Sequence, residues 1–195
     1  MVLRRYAPVL VAALLAGLVA YPFVRQWMGE QPQSLVGAQV GGQFTLESNT
    51  GSVASADLAA PLRLIYFGFT YCPDICPLEL SRMAQALAPF GADQDQVQGI
   101  FITVDPGRDG PEEVASYAQA FNPQFVGLTG SEAAIAGVMR QYQVYAARVE
   151  GKTPERYTMD HTSRIYLTNA DGQLLALFAM DTPVPDMTAR IRAFL

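Results

Sequence analysis

The sequence predicts a three-layer α/β domain built on a central mixed sheet. Three observations carry that expectation. Strand-like apolar runs alternate with amphipathic stretches of helix length between residues 62 and 141, the order that packs helices against a sheet. The runs 62–69 and 97–104 are apolar almost throughout, as strands buried on both faces are. Near the end, two apolar runs flank Asn169-Ala170-Asp171-Gly172, a turn signal that adds an antiparallel pair to strands otherwise joined by helices.

Taken in order, residues 43–46 and 52–54 flank Ser48-Asn49-Thr50-Gly51 and predict a small hairpin. The run 62–69 follows as the first central strand. Pro77 opens a helix to about Phe90, since its missing N–H is no loss in a first turn; Leu80, Met83, Ala84 and Leu87 share one face. The second buried strand, 97–104, runs into the loop Asp105-Pro106-Gly107-Arg108-Asp109. Pro111 opens a helix to about Phe121, residues 125–128 form a short strand, and Ser131 caps a helix to about Gln141. A stretch with Val144, Tyr145 and Val149 reads as a strand, and 151–156 as a charged loop. Residues 164–168 and 174–178 make the terminal hairpin, and 186–194 closes the chain as a helix.

Ahead of this domain, residues 6–24 are 19 residues without a charge, preceded by Arg4 and Arg5. That is close to the ~20 residues needed to cross a bilayer as a helix. The flanking arginines leave the N-terminus in the cytoplasm and export the rest. A cleaved signal would want small residues before the cut, and Leu18-Val19-Ala20 is a poor version of them. The expected organisation is therefore 1–25 as a membrane anchor or signal segment, 26–40 as a tether, and 41–195 as the folded domain. The expected location is the inner membrane, single-pass, with the domain on the periplasmic, exported side.

From Glu30 onward, 10 of the 13 basic residues face all 18 acidic ones, a formal −8. Such a surface repels phosphate backbones and excludes nucleic acid as the partner. Export permits disulfides, but a domain of this size does not need one as a staple.

The chemistry rests on three residues. Cys72 and Cys76, the only cysteines, lie in Tyr71-Cys72-Pro73-Asp74-Ile75-Cys76-Pro77, and His161 is the only histidine. The cysteines follow a strand directly, at the end where α/β sheets place their sites. A proline after each biases both out of helical geometry, and the adjoining helix start favours thiolate. Two soft sulfurs with an imidazole suit Cu(I) or Zn(II). Closed structural zinc sites take four ligands, so a set of three favours Cu(I). Oxidation of the pair would remove both sulfur ligands, which also makes a thiol–disulfide reductase a coherent alternative. A structural disulfide, a thiol peroxidase using Arg108 or Arg164, and an inert interaction module are weaker readings. Around the three, Phe67, Phe69 and Tyr71 are either shields or core, Asp160 either orients the imidazole or is solvated, and Met159 is core rather than a further ligand.

The stretch Phe67-Gly68-Phe69-Thr70-Tyr71-Cys72-Pro73-Asp74-Ile75-Cys76-Pro77 resembles the signature of the Sco/SenC family, membrane-tethered copper proteins that assemble the CuA centre of cytochrome c oxidase. Thr103-Val104-Asp105-Pro106-Gly107-Arg108-Asp109 and Asp160-His161-Thr162 resemble two further segments of that family. The resemblance spans roughly residues 35–195. It implies a thioredoxin-like fold, copper held by Cys72, Cys76 and His161, a tuning role for Asp74, and a partner in cytochrome c oxidase subunit II or another copper enzyme. It also implies that the loop at 151–157 meets partners.

Overall fold

The computed structural model describes residues 40–151, 153 and 156–195, within a compact unit, Leu35–Leu195. The expected anchor at 1–25, and the tether at 26–40 except its last residue, lie outside the described residues. Among those described, no helix is long and apolar enough to cross a membrane.

Strand β3 (Leu62–Gly68) buries every residue, as its unbroken apolar run requires. It lies at the centre of a five-stranded sheet. Strands β4 (Val97–Thr103) and β5 (Val126–Leu128) continue in parallel on one side, and β8 (Ile165–Asn169) and β9 (Leu174–Phe178) run antiparallel on the other. The expected mixed sheet is present, with its antiparallel edge supplied by the terminal hairpin. That hairpin turns where Asn169 Oδ1 accepts the amides of Asp171 and Gln173 at 3.1 and 2.8 Å. Gly172 takes φ +82°, open to glycine without strain. A separate hairpin, β1 (Thr45–Ser48) with β2 (Gly51–Ala54), forms where the sequence placed it.

Four α-helices complete the described domain: α1 (Ile75–Leu87), α2 (Pro111–Gln119), α3 (Glu132–Gln141) and α4 (Val184–Arg192). Successive side chains of β3 point to opposite faces, and the helices divide accordingly. Tyr66 faces α1 through Cys76, whereas Phe67 meets Tyr142, the residue that ends α3, at 5.3 Å. Helices α1 and α4 are fastened together: Thr188 Oγ1 donates to the Ala86 carbonyl at 3.0 Å. Arg82 pairs with Glu79 at 2.6 Å and donates to the Met180 carbonyl at 2.6 Å, and to that of Thr182. Those carbonyls belong to the loop after β9, so α1 is tied to the edge hairpin as well. Ser131 caps α3 as expected, accepting the Ala134 amide at 3.2 Å.

Two local expectations are corrected. Helix α1 begins at Ile75, not Pro77, so Cys76 is its second residue and not part of the preceding turn. Pro77 still falls within the first four positions, where helical N–H groups have no intrahelical acceptor. The helix also stops at Leu87, and residues Ala88–Gln96 continue as 3-10 turns. The second correction is an additional strand. Residues Thr158–His161 form β7, paired antiparallel with β6 (Ala146–Val149) in a ribbon apart from the main sheet. His161 ends this ribbon, opposite Ala146, in a stretch to which the sequence assigned no strand.

Candidate metal centre

The site forms at the carboxyl end of β3. After Gly68 the chain turns, and the Cys72 amide donates to the Phe69 carbonyl at 3.2 Å. The turn is held from the loop that follows β4. Buried Asp109 accepts the Thr70 amide at 2.9 Å, the Thr70 hydroxyl at 2.5 Å and the Thr103 hydroxyl at 2.6 Å. Burial pushes its pKa upward, and these donors pull against that shift.

Cys72 is half-buried and Cys76 is fully buried; both are free thiols. Asp74 occupies the N-cap position of α1, yet its carboxylate makes no capping bond. The sulfur of Cys72 does that work instead, accepting the Cys76 amide at 3.4 Å. One orphan donor of the first helical turn is thereby satisfied by a thiol.

Cys76 Sγ stands 3.7 Å from His161 Nε2, across 85 residues of sequence. His161 Nδ1 lies 3.1 Å from the Thr162 carbonyl oxygen. A carbonyl only accepts, so Nδ1 carries the proton and the Nε2 lone pair faces the sulfur. Burial lowers the pKa of the imidazole, outweighing the Thr162 carbonyl and Asp160. It therefore stays neutral, the form that ligates metals. Burial also pushes the Cys76 thiol up to about 12. The expectation that the helix start would favour thiolate is reversed at Cys76, because loss of water outweighs the helix field.

The surroundings sort the other candidates. Phe69 meets the His161 ring edge-on at 5.8 Å, and Tyr66 does so at 6.2 Å. Phe67 is core on the opposite face, against Tyr142 and Tyr166. Tyr71 is 64% exposed and lies under the Arg108 guanidinium at 4.8 Å. Asp160 is exposed, and the Thr162 carbonyl takes the bond to Nδ1 that Asp160 was a candidate to take. Met159 packs against the core. Arg108 is engaged by Asp105 at 2.5 Å and the Tyr157 carbonyl at 3.0 Å, not by a thiol. Arg164 is exposed.

The structure thus brings Cys76 and His161 together directly and joins Cys72 through the backbone. Among the described residues, no three His, Cys, Asp or Glu side chains stand together as a group that could hold a metal ion. The donor set nevertheless fits a soft cation: two thiols and an imidazole with a bare nitrogen. Sequence reasoning missed Tyr66, the Thr162 carbonyl and the clamp by Asp109. Only Asp109 left a trace, as a charged residue shortly after a buried strand.

Comparison with known proteins adds an independent finding. A family model described as SCO1/SenC matches residues 32–195. A SCO2-like protein of Rickettsia felis is 40% identical over 146 residues, covering 74% of this chain and 71% of its own. The protein sco1 of Schizosaccharomyces pombe is 36% identical over 198 residues, covering 96% and 75%. Among solved structures, Bradyrhizobium japonicum ScoI with copper bound is 39% identical, with a TM-score of 0.73 over 80% of this chain and 99% of that one.

Proposed function

Because the chain belongs to the SCO1/SenC family, we propose that it is a copper carrier that takes one ion through Cys72, Cys76 and His161 and assists metallation of the CuA centre of cytochrome c oxidase. The observation that carries this reading is the approach of Cys76 Sγ to His161 Nε2 at 3.7 Å, with the other ring nitrogen tied to a carbonyl. Thiolates and imidazole suit Cu(I), and three donors suffice for it. Copper is cargo here, taken up by thiols that give up protons. The copper-bound ScoI of B. japonicum supports the choice of metal.

Subunit II of the oxidase, or another copper enzyme, is the recipient in this reading. The domain acts from the exported face of the inner membrane, held by residues 1–25 and a tether at 26–40. Alkaline carbonate extraction of membranes, with protease access from the periplasmic side, tests that placement. Release of the chain by carbonate would remove the anchor from the proposal.

The test of the site is anaerobic Cu(I) titration of the reduced full chain in detergent. The expected stoichiometry is one copper per chain, lost in Cys72→Ser and Cys76→Ser and weakened at least tenfold in His161→Ala. Stoichiometric, undiminished binding by His161→Ala would defeat the three-ligand reading.

A second reading is favoured by the asymmetry of the thiols. Cys72 is accessible and Cys76 is enclosed, the arrangement of an attacking and a resolving thiol. The chain would then also reduce the cysteines of the recipient before copper arrives. That activity needs both cysteines but not His161, so a disulfide-reduction assay on His161→Ala separates the two.

A further inference from the structure

Tyr66 sits in the body of β3, wholly buried, on the face that carries Cys76. Its hydroxyl lies 3.7 Å from Cys76 Sγ, and its ring edge meets the His161 ring. Burial raises the phenol's pKa far above its usual range, so the group is a fixed O–H. A second observation points the same way. A Cβ at Gly68 would lie 2.8 Å from both Cys76 Sγ and the Tyr66 ring. The missing side chain is the space in which sulfur and phenol meet. Ser163 acts on the same hydroxyl from its other side, as a donor to the phenol oxygen that pulls against the rise.

We propose that Tyr66 is a positioning residue for Cys76: its hydroxyl holds the sulfur beside His161 and draws charge from it, and so sets the reduction potential of the Cys72–Cys76 pair and the strength with which that sulfur donates to copper. This rests on the proposed use of Cys76 as a working sulfur. Hydrogen bonds around a cysteine sulfur tune the potential of the site it belongs to. A bond made to the thiol and weakened in the disulfide stabilises the reduced form, and a stabilised reduced form makes a stronger oxidant.

The experiment equilibrates the full chain in detergent with mixtures of glutathione and glutathione disulfide. Two S–H bonds break and the Cys72–Cys76 bond forms. Glutathione disulfide takes the two electrons and two protons and leaves as two thiols. The disulfide fraction is read by alkylation and mass shift. Tyr66→Phe is expected to favour the disulfide about fivefold, the factor corresponding to one ordinary hydrogen bond. At 29.6 mV per tenfold for a two-electron couple, the potential falls by roughly 20 mV. Ser163→Ala removes a donor to the phenol oxygen, makes the Tyr66 O–H a weaker donor to Cys76 and lowers the potential by a smaller step than Tyr66→Phe. It also serves as the independent arm should Tyr66→Phe fold poorly. Tyr142→Phe, the same atom lost on the opposite face of the sheet, leaves the potential within twofold of wild type. In the Cu(II)-loaded chain, Tyr66→Phe keeps one copper and moves the sulfur-to-copper charge-transfer band to longer wavelength. A Tyr66→Phe potential equal to wild type, or a shift matched by Tyr142→Phe, overturns the inference while leaving the copper reading intact. A wild type with neither stoichiometric copper nor a Cys72–Cys76 couple overturns both.

Discussion

Cys76 and His161 approach to 3.7 Å, yet the elements that carry them are built on different terms. Cys76 belongs to the core. It is fully buried on α1, against a central strand with no exposed residue, and its niche is bounded by Tyr66, Gly68 and Phe101. His161 ends a two-stranded ribbon without a fully buried residue, whose strands alternate or grade from half-buried to exposed. The ribbon is attached by polar and stacking contacts. Arg108 lies over the Tyr157 ring at 3.6 Å, Arg148 lies over it at 3.8 Å, and the Tyr157 hydroxyl donates to Asp105 at 2.8 Å. The sulfur is therefore placed by packing that also stabilises the fold, whereas the imidazole is placed by contacts the fold could lose. Damage to the first half should cost stability and binding together; damage to the second should cost mainly binding.

The largest effect is expected at the clamp beneath the cysteine turn. Asp109→Ala removes three hydrogen bonds to a buried carboxylate and strands the Thr70 amide and Thr103 hydroxyl. A loss of about 3 kcal/mol or more follows, read as a drop in the denaturant midpoint with copper binding lost in parallel. Gly68→Ala comes next. Its new Cβ would meet Cys76 Sγ and the Tyr66 ring at 2.8 Å and Phe101 at 3.0 Å. Overpacking of that kind costs about 1–3 kcal/mol, and here it falls on the sulfur itself. If Gly68→Ala kept wild-type stability and copper affinity, the core half of the site would be looser than the packing shows.

The same contrast explains what could be read from the chain. The central strand, the terminal hairpin and the Ser131 cap were legible because each rests on a local rule: an apolar run, an Asn-to-Gly turn, a hydroxyl before a helix. Cys72, Cys76 and His161 stood out by rarity and by the motifs around them. Strand β7 was not legible. Its residues, Thr158-Met159-Asp160-His161, are short and mostly polar, and they become a strand by pairing with β6. Nor could the start of α1 be read, because Pro77 drew the boundary toward itself while the Cys72 sulfur took over the capping that Asp74 leaves undone. The Cys76 thiol was misjudged because the helix field is visible in sequence and the depth of burial is not.

On the ribbon side, Arg108→Ala removes the ion pair to Asp105, the bond to the Tyr157 carbonyl and the stacking on Tyr157 and Tyr71. Partly exposed contacts of this type contribute about 1 kcal/mol in sum to stability. The expected signature is a small change in melting temperature with a Cu(I) affinity lowered about tenfold, measured by competition with a chelator. Arg108→Lys keeps the charge but not the planar fork, and should recover only part of the affinity. A variant that lost stability and affinity in the proportion seen for Gly68→Ala would erase the distinction between the two halves.

The smallest effect isolates His161 by pH in the metal-free chain. Its folded pKa is lowered, chiefly by burial, so the unfolded chain takes up a proton more readily than the native one. That contribution is fully present above the ordinary histidine value of about 6.5 and is lost as pH falls through the lowered folded value. Glu79 and Asp109, raised by burial, act with the opposite sign: their contributions are lost as pH rises through their own folded values. Comparing wild type with His161→Gln cancels those two carboxyls. Between pH 7 and 5, wild type should lose stability relative to His161→Gln, measured as the difference in denaturant midpoints. Parallel curves would mean that the imidazole is as wet in the folded chain as in the unfolded one, and that the ribbon does not hold it against Cys76.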